Sequence, residues 1–317
     1  MTLTTTSFGT RTTAAEVLDG VDLTGRRMIV TGGSSGLGVE TVRALAGAGA
    51  QVTVATRNPA DAEPLVEEFP GTRAVALDLA DLASVRAFCD AWSGPLDGLV
   101  ANAGVMMLPT RQVDAQGWEM QLSTNYLGHF ALAVGLRTAL RAAERPRVVV
   151  VSSGAQLRAG FDFDDPQFER RPYDPFAAYA QSKTADVLLA VGIGRRWAED
   201  GITANACAPG WIHTNLTRHL DKATMQAFGA MDADGNLLTP DHYKNPAQGA
   251  ATTVLLASSP LLDGVTGRYF EDNQESEVVD GGPDVMAGVA RWSVDPTAAD
   301  RLWDLALLWD LALPVVS

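Results

Sequence analysis

Short apolar runs rich in β-branched residues alternate along this chain with stretches whose apolar residues recur at helical spacing. The runs fall at residues 27–33, 51–57, 73–79, 96–104, 147–153, 202–210 and 267–272. Helical patterns occupy 38–50, 60–69, 81–92, 125–143, 179–200 and 246–258. From Val148 to Val151 the pattern is uniformly apolar rather than alternating. That is how a strand buried on both faces reads, as strands of parallel sheets do. The alternation predicts an α/β fold, a doubly wound parallel sheet flanked by helices. Ligands of such sheets sit beyond the carboxyl ends of the strands, so those ends carry the functional signal.

The first run ends in TGGSSGLG, Thr31 to Gly38, between a strand and a helix. Gly32, Gly36 and Gly38 let the backbone turn tightly and let a pyrophosphate approach it. The helix start then offers free N–H groups and a positive dipole end. Gly32, Ser34, Ser35, Gly36 and Leu37 are therefore candidate cofactor contacts. At the second strand end stand Thr56 and Arg57, with no acidic residue at the tip to hold a ribose diol. A guanidinium suits a 2′-phosphate, which favours NADP(H) with NAD(H) still possible; otherwise Arg57 stacks on the adenine or faces solvent. At the third end, Asp78 either accepts from an adenine amino group beside Leu79 or begins the next helix. At the fourth, Asn102, Ala103 and Gly104 are small enough to let a ribose come close.

Tyr179 and Lys183 lie four residues apart in AAYAQSKTA, on one helical face. An ammonium beside a phenol favours the phenolate and lowers its pKa, so the pair is a candidate proton-transfer device.

TGGSSGLG, ANAG, STNYLGHF, VVSSGAQ, YAQSK and APGWIHT, taken together and in this order, resemble the short-chain dehydrogenase/reductase family over about residues 20–275. FGTRTTAAEVLDGVDLTGRRMIVTGG and DDPQFERRPYDPFAAYAQSKTA look like its retinol-dehydrogenase-like branch. The resemblance implies a Rossmann-type single domain, with an extension at 1–24, a core at 25–275 and a second extension at 276–317. It implies Tyr179 as proton donor or base, and Lys183 as holder of the nicotinamide ribose and tuner of the tyrosine. It implies Ser153 as hydrogen-bond partner of the substrate oxygen, and Asn125 as anchor of a water linking Lys183 to solvent. Pro209, Gly210, Ile212 and Thr214 would contact the nicotinamide end. The implied activity is alcohol–carbonyl interconversion on an apolar small molecule. Other possibilities are a catalytically idle NADP-binding sensor, or an epimerase or dehydratase on the same fold. All four catalytic positions are filled, which favours the enzyme. Tyr126 stands where many relatives have histidine, and Cys207 and Ala208 precede Pro209 where histidine is frequent.

For substrate contacts the candidates are Met106, Phe161, Trp211 and His213. Phe161, Phe163 and Phe168 form either a flap beside the site or a surface loop packed on itself. His213 meets either substrate or solvent. Met106, Met107, Trp211, Met225, Phe228 and Met231 are pocket wall or plain core.

Net charge is −14, from 24 basic and 38 acidic residues. This disfavours nucleic-acid or anionic-membrane binding through a broad basic patch. Cys89 and Cys207 make neither a disulfide framework nor a zinc cluster, and suit a reducing cytosol. Neither a signal peptide nor a membrane span is evident, so a cytoplasmic protein is expected. The apolar C-terminal pattern RLWDLALLWDLALPVV is broken by Asp304 and Asp310, so it reads as packing on its own domain or on a second subunit. A homodimer or homotetramer is compatible with this. DADGN, Asp232 to Asn236, reads as a turn, because the glycine comes too early for a calcium loop. His129, His213, His219 and His242 form no metal-like cluster in sequence, and no metal is expected.

Overall fold

The computed structural model describes residues 2–214, 216–217 and 220–308. His219, Asp310 and the end of the apolar C-terminal pattern lie outside the described residues. The sheet has eight strands: β1 (Arg27–Thr31), β2 (Gln51–Thr56), β3 (Arg73–Ala76), β4 (Gly98–Ala101), β5 (Arg147–Val151), β6 (Thr203–Ala208), β7 (Tyr269–Glu271) and β8 (Gln274–Glu275). Their order is β3-β2-β1-β4-β5-β6-β7-β8. Every pairing through β7 is parallel, and only β8 returns antiparallel. Strand order reverses between β1 and β4, the place where such sheets open a crevice for ligands.

Side-chain alternation explains the uniformly apolar fifth strand. Val148 and Val150 face one core layer, while Val149 and Val151 face the other. The first layer is roofed by the helices Leu82–Asp90, Gly128–Gly135, Pro175–Arg196 and Pro296–Ala306, and the second by Gly36–Gly47 and Pro246–Ser258. In the first layer Trp303 meets Phe130 and Trp197 edge-on, at centroid distances of 4.8 and 5.6 Å. Leu302 beside it is fully buried. Leu302→Ala should therefore lower unfolding free energy by about 3 kcal/mol in a urea titration, as buried leucine truncations do.

The helix expected at 125–143 is broken. It runs as Met120–Leu122, a π-turn over Ser123–Leu127, then Gly128–Gly135 and Arg137–Arg141. A side chain bonds this turn: His129 Nδ1 donates to the Asn125 carbonyl at 2.7 Å. The helix expected from Tyr179 begins earlier, at Pro175, because the Asp174 carboxylate caps the Ala177 amide and proline suits the first turn.

Both extensions pack on this core. The first residues follow the β8 edge, where the Thr4 amide donates to Glu275 and the Thr6 amide to Gln274. The later segment pairs Val289–Ala290 with Val278–Val279 and then forms the last described helix. Gln156 clamps it: Nε2 donates to the Gly288 carbonyl and Oε1 accepts from the Ala290 amide, both at 2.9 Å. The 232–236 segment is a turn, with Asp232 Oδ1 accepting from the Asn236 amide at 2.8 Å. Among the described residues no helix is long and apolar enough to cross a membrane. None of their acidic, histidine and cysteine side chains gather in threes to hold a metal ion.

Candidate active site

A cleft of about 1180 Å³ opens beyond the carboxyl ends of β1 to β6. Each cofactor candidate from the sequence lines it: Gly32, Ser34, Ser35, Gly36, Leu37, Arg57, Asp78, Leu79, Asn102, Ala103, Gly104, Tyr179, Lys183, Pro209, Gly210, Ile212 and Thr214.

The glycine turn shapes one end. Gly32 and Gly36 hold φ of 64° and 54°, which side chains rarely adopt. A Cβ on Gly38 would stand 2.3 Å from the Gly32 carbonyl oxygen and 2.8 Å from Asn102 Nδ2. Ser35 begins the helix Gly36–Gly47 without any side-chain cap. The helices at Leu82, Pro175, Pro246 and Pro296 are instead capped by Asp81, Asp174, Asn245 and Asp295. Bare helix N–H groups facing a cleft are an anion site in waiting. Beside them Ser34 Oγ and Thr56 Oγ1 share a hydrogen bond at 2.8 Å, with Arg57 next in the wall. Asn58 and Asp61, 2.8 Å apart, join the same wall. Asp78 lines the cleft while its Oδ1 accepts from the Ala80 amide at 3.0 Å. The residues present thus fit a dinucleotide, with close backbone approach, open N–H groups and one guanidinium.

At the other end β5 delivers Ser153, and the long helix delivers Tyr179 and Lys183. Ser153 and Tyr179 both line the cleft, and Ser153 is near enough to the phenol to pull its pKa down. Lys183 Nζ donates to the Val151 carbonyl at 3.0 Å and to Asp186 Oδ2 at 2.7 Å, and lies 5.8 Å from the Tyr179 ring centroid. Asn125 sits behind the cleft wall. Its Oδ1 accepts from the Val105 amide at 2.8 Å, and its Nδ2 donates to the Val105 carbonyl and to Ser182 Oγ. Its carbonyl, released by the π-turn, accepts from His129.

Lys183 acts on Tyr179 in the expected direction, but burial opposes it. Burial pushes the Tyr179 phenol above its ordinary pKa; the Lys183 ammonium and Ser153 pull it back without overcoming burial. At neutral pH the structure therefore presents a phenol, a proton donor. His129 is driven down to about 4 by burial and stays neutral. With Nδ1 donating to Asn125, its Nε2 accepts from Thr31 Oγ1 at 2.9 Å.

The four substrate candidates lie away from the cleft lining. Phe161 packs edge-on against Phe163 at 4.8 Å and on the first core layer. The aromatic insertion is thus held to the body of the domain, and Arg301 covers Phe163 at 4.2 Å. Trp211 is 43% exposed, within ring contact of Phe228, His242 and Tyr243. His213 Nε2 meets the Leu238 carbonyl at 2.7 Å, and its ring lies 4.7 Å from Tyr243. Met106 is half-buried next to Val105, which does line the cleft. The cleft is also lined by Val105, Leu108, Gln112, Met120, Thr124 and Leu216. No motif marked these, because loop closure brings them in. Asp186 also went unmarked, although its spacing of three from Lys183 and seven from Tyr179 puts all three on one helical face.

The short chain dehydrogenase family model matches residues 26–224. The chain belongs to this family. A Streptomyces lividans protein described as "Probable oxidoreductase" is 65% identical over 90% of this chain and 97% of its own. Human retinol dehydrogenase 14 is 34% identical over 89% of this chain and 85% of its own, which supports the retinol-dehydrogenase-like branch. A solved Mycobacterium paratuberculosis protein superposes with a TM-score of 0.72 at 32% identity, covering 94% of this chain and 97% of its own. A gluconate 5-dehydrogenase from Burkholderia cenocepacia, solved in complex with NADP and tartrate, gives 0.60 at 27% identity, covering 80% and 95%. This short-chain dehydrogenase is an oxidoreductase with the family's Rossmann fold in a single domain.

Proposed function

We propose that the enzyme interconverts an alcohol and a ketone or aldehyde on an apolar small molecule, using NADP(H), with Tyr179 as general acid and base. The observation that carries this is one cleft holding the Ser153–Tyr179–Lys183 set at one end and an uncapped helix beside Arg57 at the other. When bound, the nicotinamide supplies or accepts the hydride. The chain's own groups manage the proton and the charge. Ser153 and Tyr179 converge on the substrate oxygen, where negative charge develops during reduction. Tyr179 gives its phenolic proton to that oxygen, and takes one back from an alcohol in the reverse direction. Lys183 holds the nicotinamide ribose and favours the phenolate that reduction leaves behind. Asn125, locked by Val105 and Ser182, offers the second lone pair of its carbonyl to a water that returns protons to Lys183. Leu108, Met120 and Leu216 give the cleft an apolar lining, which suits an apolar substrate.

Arg57 is assigned the 2′-phosphate, with Ser34 and Thr56 beside it. Arg57→Asp should weaken NADPH binding at least about tenfold more than NADH binding, since a charge-assisted contact becomes a repulsion. Nicotinamide fluorescence titrations of both cofactors measure this; equal losses would remove Arg57 from phosphate recognition. Turnover is sought by following NADPH absorbance against apolar ketones, aldehydes and alcohols. Binding of NADPH with no oxidation or reduction across that range would favour the idle sensor.

A further inference from the structure

Lys183 and Asp186 form an ion pair at 2.7 Å with side chains 6% and 1% exposed. The second carboxylate oxygen, Asp186 Oδ1, is buried without a hydrogen-bond partner. Burying a carboxylate is expensive, and leaving half of it unanswered is more so. An orphaned buried polar atom calls for an explanation. Asparagine at this position could accept from the same ammonium without bringing a charge into the core. A carboxylate gains something over an amide only if the ammonium must be kept charged.

The surroundings show why it must. Tyr179 lies on the same helix face. Tyr126 and His129 approach from the π-turn and the helix after it, and Cys207 approaches from β6. His129 is neutral, and burial raises the Tyr126 phenol and lifts the Cys207 thiol to about 11. The other cations nearby, Arg196 and Lys244, act on Tyr126 and Cys207. Among the described residues, Asp186 is thus the carboxylate paired with Lys183.

Given the oxidoreductase chemistry proposed above, we infer that Asp186 is the counter-ion that keeps the Lys183 ammonium charged and fixed beneath Tyr179. It is a positioning residue for the proton transfer. The Val151 carbonyl and the Asp186 carboxylate hold two of the ammonium protons from behind, and the lysine faces the cleft with the rest. In keeping with this, Lys183 stands above its ordinary pKa despite complete burial, with Asp186 the main cause opposing desolvation. The same carboxylate works against Tyr179 by raising its pKa. The site accepts that opposition in exchange for a lysine that stays charged.

The chain has three lysines, Lys183, Lys222 and Lys244, so a lysine-selective ¹³Cε label can follow Lys183 directly by NMR. Lys183→Ala identifies the resonance by its loss. In the wild type Lys183 should titrate above the ordinary lysine value of about 10.4. In Asp186→Asn its midpoint should fall by more than about one unit, a tenfold gain in acidity, and Asp186→Glu should recover most of it. In turnover, Asp186→Asn should lose alcohol-oxidation activity at pH values above its lowered Lys183 midpoint, because a discharged lysine no longer favours the phenolate. A wild-type midpoint at or below the ordinary value overturns the inference without any variant. So does an unmoved midpoint in a folded Asp186→Asn protein. Failure of the wild type to turn over NADPH would sink the proposed function and leave this titration standing. Tyr179-dependent turnover with an unmoved Lys183 would sink the counter-ion alone.

Discussion

Tyr179→Phe should lower kcat by about 10³-fold while NADPH still binds, since removing a general acid commonly costs 10² to 10⁴. Tyr179 is 5% exposed on a helix buried along most of its length, so phenylalanine keeps the volume and the packing and deletes only the hydroxyl. That hydroxyl is the group whose pKa Ser153 and Lys183 pull down. Among the described residues no second acid stands in its place. His129 is buried and neutral behind the wall, and Glu119 is occupied capping Gln121 and Leu122. Stopped-flow hydride transfer and a parallel fluorescence titration separate chemistry from binding. A variant within about tenfold of wild type would remove Tyr179 from the proton's path.

Lys183→Ala should be nearly as damaging, and its pH profile is diagnostic. Burial already holds the Tyr179 phenol above its ordinary pKa, and Lys183 is the foremost group pulling it down. Without the ammonium that pKa rises further. Alcohol oxidation needs the phenolate, so its rate grows as pH climbs through the tyrosine pKa. The rising limb should therefore move to higher pH, by about one unit or more, and each unit is a tenfold loss on the acid side. Weaker hold on the ribose adds to this, for a combined loss of about 10³-fold at pH 7. Part of the activity should return above pH 9. A limb in the wild-type position would show that Lys183 does not tune the phenol. Burial already raises the Asp186 carboxyl and Lys183 pulls it back, so without its partner it would bind a proton more readily.

The sequence was informative where one residue type answers one local demand. The phosphate turn was legible because Gly32 and Gly36 need positive φ and Gly38 needs an absent Cβ. The central strands were legible because both their faces are buried, as at Val148 to Val151. The Tyr179–Lys183 pair was legible through helical spacing. Other features depend on neighbours far along the chain. At the π-turn His129 reaches back to the Asn125 carbonyl, and Thr31 on the first strand holds that histidine from its other side. Periodicity alone reads the region as one continuous helix. Trp211, His213 and Phe161 were candidates for substrate contact with a second reading as core or surface; in the structure they touch Tyr243, Leu238 and Phe163. The phenol's elevated pKa was missed for a similar reason, because spacing reveals the ammonium beside Tyr179 but not the depth at which both are buried.

The Gln156 clamp bears on how much of the chain the active site needs. Gln156 lies three positions after Ser153, and its side chain bonds Gly288, Ala290 and Ser293. These partners lie 132 to 137 positions further on. Contacts at such separation form late, after the local helices and hairpins. The Ser153 end of the cleft is therefore held by a segment made near the end of the chain, and a protein truncated before Gly288 would lack that lock.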